Sequence, residues 1–138
     1  MLANIVAPYV NWAPFLLRLA LGVVLVYHGR PKLFGPEPGL KGFSGWLGSL
    51  GFPVPMFWAL VVAVVEFFGG LGLIAGLATR WIALFVAIQF LAILIFVKKG
   101  SAWKDMELDL LIFASSVALM ILGSGNISLA YWVNIYLK

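Results

Sequence analysis

The stretch Phe15–Gly35, FLLRLALGVVLVYHGRPKLFG, constrains the fold most: it is apolar for long enough to cross a bilayer, yet it carries Arg18, His28, Arg30 and Lys32. A hydrocarbon core about 30 Å thick needs roughly 20 helical residues. Pro14–Leu33 supplies that length, with Pro14 where a helix tolerates proline, in its first turn. Three of the four basic residues cluster at the end where the chain leaves the membrane. Arg18 lies inside the apolar run, where a charge costs a few kcal/mol (roughly 3) unless it is paired or snorkels.

Three further apolar runs follow, and composition leaves little room for anything else. The 138 residues are 64% hydrophobic and 10% charged, with a mean hydropathy of +1.10, which marks an integral membrane protein. The net charge of +4 comes from Lys and Arg at the ends of apolar runs. That placement suits lipid headgroups, and nucleic acid is not an expected partner. With no cysteine, thiol chemistry is excluded for this chain alone, and a single histidine gives it no His-based metal site. The N-terminus lacks the basic region and small-residue cleavage site of a signal peptide.

The spacing predicts an all-α membrane protein, a four-transmembrane-helix up-down bundle forming one domain over residues 1–138. The spans fall at about 14–33, 55–78, 81–97 and 102–122. Between the first two, Phe43, Trp46, Leu47 and Leu50 recur at helical spacing, which predicts a short amphipathic helix over 43–50. Residues 1–13, with Tyr9 and Trp12, and the aromatic tail 127–137 read as interfacial segments. After Glu66, Gly69, Gly70, Gly72 and Gly76 leave a surface with little bulk, open to a neighbouring backbone. The basic residues number six at the 1–2 and 3–4 connections (Arg30, Lys32, Lys41, Lys98, Lys99, Lys104) against three elsewhere (Arg18, Arg80, Lys138). The expected placement is a multi-pass protein of the cell membrane, long loops cytoplasmic and both termini outside.

The intramembrane polar residues are the candidate site: Arg18, His28, Lys32, Glu66, Gln89 and Asp109. With helix ends aligned, Arg18 lies about 22 Å and Glu66 about 16 Å from the long-loop ends of their helices. That predicts an Arg18–Glu66 pair with Gln89 as hydrogen-bonding neighbour. The pair reads either as a buried ion pair that fixes register or as the lining of a polar ligand pocket. His28 is expected within a helical turn of Glu107 and Asp109 in depth, with Lys32 on its face four residues on. It reads either as a headgroup-level histidine bonded to helix 4 or a backbone carbonyl, or as a proton-exchanging group beside a redox ligand such as a quinone. Glu107 and Asp109 point to nearly opposite helix faces and form no paired-carboxylate site.

The order R-L-x-L-G (Arg18–Gly22), H-G-x-x-K-L (His28–Leu33), G-F-P (Gly51–Pro53), E-x-x-G-G (Glu66–Gly70), G-L-x-T-R (Gly76–Arg80) and G-x-G-x-x-S (Gly123–Ser128) resembles the DoxX family of small four-helix membrane proteins. Many members carry an acidic residue soon after that serine, where this chain has Leu129 and Ala130. The resemblance implies a link to thiosulfate:quinone oxidoreductase, whose membrane subunit has a similar fold, and to membrane-bound oxidoreductase complexes. Distant relatives imply another role, as cargo receptors or assembly chaperones. The expected function is an accessory or anchor subunit of a quinone-linked oxidoreductase system, without catalytic activity of its own. It is expected to bind no cofactor covalently, to have a quinone as its candidate ligand, and to have a protein partner or a second copy beside it in the bilayer. The alternative is a non-enzymatic scaffold or assembly chaperone.

Overall fold

The protein is described by a computed structural model covering residue 5 and residues 7–136. Among these residues every regular element is helical. A 3-10 turn, Ala7–Trp12, leads into α1 (Ala13–Phe34); α2 (Gly39–Ser49), α3 (Pro55–Ala75) and α4 (Thr79–Ala92) follow. A single wide π-helical turn, Ile93–Val97, extends α4, and α5 (Trp103–Leu122) and α6 (Leu129–Tyr136) complete the fold. The expected interfacial segments 1–13 and 127–137 lie partly outside the described residues.

Three helical runs are long and apolar enough to cross a membrane: Ala7–Phe34, Pro55–Ala75 and Thr79–Val97. The expected fourth, α5, does not reach that measure. Lys104, Asp105, Glu107 and Asp109 occupy its first two turns, and residues 110–122 alone fall short of the roughly 20 a span requires.

Proline opens α1 and α3 within the first turn, where its missing N–H breaks no helical bond. α3 ends at Ala75, three residues short of the expected 78, because Gly76 adopts φ +74° and turns the chain. α2 starts earlier than expected, at Gly39, and its predicted apolar face divides. Ser44 and Leu47 are buried, Phe43 stacks on Trp46, and Trp46 and Leu50 remain exposed.

The most extensive pairing is α1 with α3, followed by α5 with α4; α2 packs mainly on α3. The α1–α3 contact is close because glycine meets glycine. A Cβ on Gly22 would stand 2.7 Å from the Gly70 carbonyl oxygen, and one on Gly70 would stand 2.8 Å from the Gly22 carbonyl oxygen. Seven residues further along α1, Gly29 admits Glu66, whose Cβ would be 2.9 Å from a Gly29 side chain. Of the glycines after Glu66, Gly70 receives the α1 backbone, Gly69 and Gly72 receive Ile82 of α4, and Gly76 faces Arg18 and Ser128. One core joins the helices: Leu21 and Leu25 of α1, Leu73 of α3, Ala83, Val86 and Phe90 of α4, and Ile112 and Leu119 of α5.

Candidate functional site

Glu66 is the centre of the polar interior. It lies in the middle of α3 with its side chain only 3% exposed, and two groups hold it: Lys32 Nζ stands 2.5 Å from Oε2, and Gln89 Nε2 donates to Oε1 at 3.1 Å. Three helices therefore contribute one side chain each to a charge-assisted network, the strong form of hydrogen bond. The Lys32 ammonium also lies 4.5 Å from the centre of the Phe43 ring, in cation–π range, so α2 covers it from the loop side. Lys32 keeps 22% exposure, which makes it the edge of the cluster nearest the surface.

The expected Arg18–Glu66 pair does not form. Arg18, 1% exposed, turns to the opposite end of the bundle, where it donates to the Leu73 carbonyl at 3.0 Å and to the Ile127 carbonyl. Its guanidinium rests against Gly76, where any Cβ would collide with it, and lies 5.8 Å from the Phe15 ring centre. Only Nε lacks a partner. Arg18 thus ties the end of α3 to the segment that leads into α6. Here a charge deep in a helix is solvated by backbone carbonyls rather than by a carboxylate.

The reason is register. Gly22 against Gly70 and Gly29 against Glu66 and Phe67 displace α3 by about five residues, roughly 8 Å, from an alignment of helix ends. That displacement carries Lys32 to Glu66 and Arg18 past it. The α2 segment makes this possible, because it lets α3 begin well beyond the end of α1.

Asp109 and His28 also sit elsewhere than expected. Asp109, 8% exposed, faces Lys98 as an ion pair, and Lys98 donates to the Asp105 carbonyl. The Asp109 Oδ2 atom gains the lysine's charge but no hydrogen-bond geometry. Lys98 follows the π-helical turn, closed by its own N–H on the Ile93 carbonyl at 2.9 Å. His28 is exposed, stands edge-on to Tyr27, and lies within electrostatic reach of Glu66. It lines a shallow groove of about 640 Å³ along the outer face of α1, with Val23, Val26, Arg30, Phe34 and Ile74 among its other walls. Neither this groove nor a smaller apolar hollow between α3 and α4 is lined by Glu66, Lys32 or Gln89.

The structure therefore brings together Lys32, Glu66 and Gln89, leaves His28 exposed at the outer groove, and sends Arg18 and Asp109 to separate partners. Sequence reasoning missed Lys98 as the partner of Asp109 and Phe43 as the cover of Lys32. The signal for the true register was present in Gly22 and Gly29, seven residues apart on the face that holds Lys32.

These features define a small helical membrane protein with a buried, ion-paired interior. The chain belongs to the DoxX family, whose profile matches residues 13–99, a span that includes the whole Glu66 cluster. It is similar to a protein of Bacillus subtilis (strain 168) named "Putative oxidoreductase CatD", with 33% identity over 115 residues, 83% of this chain and 81% of that protein. No solved structure matches the chain.

Proposed function

We propose that this DoxX protein is an accessory or anchor subunit of a quinone-linked oxidoreductase system in the cell membrane. In this reading α5 is the fourth span, and the α1–α3 and α4–α5 connections face the cytoplasm. The observation that carries the reading is the Lys32–Glu66–Gln89 cluster, a buried carboxylate at the middle of α3 whose cation reaches toward the surface. Intramembrane ionisable groups mark ligand and proton pathways more often than they serve as filler. The name of the Bacillus relative points the same way.

The donor chemistry of the cluster, rather than a preformed cavity, suits a quinone carbonyl. Lys32 has three N–H donors and Gln89 two; Glu66 engages one of each, leaving donors for a carbonyl oxygen. A quinone accepts two electrons and two protons. This chain's part is to hold donors at the carbonyls, with Glu66 as the buried carboxylate behind them and His28 at the surface. It has no cysteine, so its electrons come from a partner or a cofactor.

The test is binding of a short-tailed quinone analogue to the protein in nanodiscs. Saturable binding is expected, weakened at least tenfold in Glu66→Gln and unchanged in Arg18→Gln. A folded wild-type protein that binds no analogue overturns the reading. The second reading, a scaffold or assembly chaperone for a partner protein, then takes its place, and one observation favours it: Glu66 is shut away from both hollows.

A further inference from the structure

The outer face of α1 carries a groove that the Glu66 cluster does not line. Arg30 and Lys32 are two residues apart and point to nearly opposite sides of the helix. Lys32 turns inward to Glu66, whereas Arg30 lines the exposed groove with His28. Elsewhere Lys32, Lys41 and Lys98 are paired with Glu66, Glu37 and Asp109. Arg30 has no hydrogen-bond or ion-pair partner among the described residues.

The groove has the polarity and length of one lipid. Its charged end is four residues from the end of α1, at headgroup level, and its other end is apolar, formed by Val23, Val26 and Ile74. From Val23 to Phe34 the helix rises about 16 Å, the depth of one leaflet of a core about 30 Å thick. Pro31 adds an acceptor: it has no N–H, so the Tyr27 carbonyl beside it loses its helical donor. An unpaired guanidinium in an exposed groove suits a phosphate, and basic pockets at helix faces recognise anionic headgroups.

We infer that this groove binds one anionic phospholipid, its phosphate on Arg30 and an acyl chain along Val23, Val26 and Ile74. The measurement is native mass spectrometry of the full chain released from detergent containing phosphatidylglycerol or phosphatidylcholine. One phosphatidylglycerol is expected to stay bound, with phosphatidylcholine retained at least tenfold less. Arg30→Gln abolishes that preference, Val23→Trp fills the groove and lowers retention of both lipids, and Lys41→Gln keeps the preference. Preference surviving Arg30→Gln, or lost equally in Lys41→Gln, overturns the site in favour of diffuse charge. A lipid-free dimer overturns it in favour of a second copy of the chain. Displacement of the lipid by a quinone analogue also overturns it and gives the groove to the quinone, an outcome distinct from the effect of Glu66→Gln.

Discussion

Replacing Lys32 with methionine leaves the Glu66 carboxylate buried without its cation, and uncompensated buried charge is costly. Lys32→Met is expected to destabilise the protein by about 3 kcal/mol, while Lys32→Met combined with Glu66→Met recovers most of that loss. Unfolding in detergent measures both, and equal destabilisation by the single and double variants contradicts the pairing. Arg18 behaves differently because its partners are carbonyls. Arg18→Gln is expected to speed hydrogen exchange at residues 123–134 at least tenfold while leaving α3 around Glu66 protected; uniform loss of protection is the contrary outcome. Each intramembrane charge could be recognised in the sequence from its residue type and apolar surroundings. Its partner could not be read from residue type and depth alone, since a five-residue change in register, signalled only by Gly22 and Gly29, exchanges one partner for another.

The register is a property of elements, and glycine sets it. Gly22→Val places methyl groups where the Gly70 carbonyl and Ile74 already stand, so α1 and α3 must separate and the core beneath them opens. A loss of about 3 kcal/mol, of the order of a core overpacking defect, is expected by thermal unfolding. Gly45 in α2 is the contrast, with nothing within 4 Å of its missing side chain. Gly45→Ala is expected to stabilise by about 0.5–1 kcal/mol through helix propensity alone. A Gly22→Val protein as stable as wild type refutes the close packing. The spans of α1, α3 and α4 are legible in the sequence because an apolar run of given length has few other uses. The charged opening of α5 and the split face of α2 are less so, because each depends on what a neighbouring helix offers: Lys98 for Asp109, and Lys32 for Phe43.

For the molecule as a whole, the unequal distribution of basic residues bears on how it sits in the membrane. The chain has no cysteine, so single cysteines can be introduced without background. With the long loops in the cytoplasm, a membrane-impermeant thiol reagent outside the cell is expected to label Ser124→Cys and to spare Lys99→Cys; the reverse pattern inverts the topology. The wide turn Ile93–Val97 sets the direction in which Lys98 leaves α4, and so its approach to Asp109 of α5. A π turn holds one residue more than the α-helical turn it replaces, so Lys98 and the chain beyond it are rotated by about 100° from where regular helix would put them. In evolutionary terms such a turn is what a one-residue insertion into a helix would leave. Relatives whose helix continues without it should align with a single gap within 93–97 and carry their loop cation on a different face, away from the position that Asp109 occupies here.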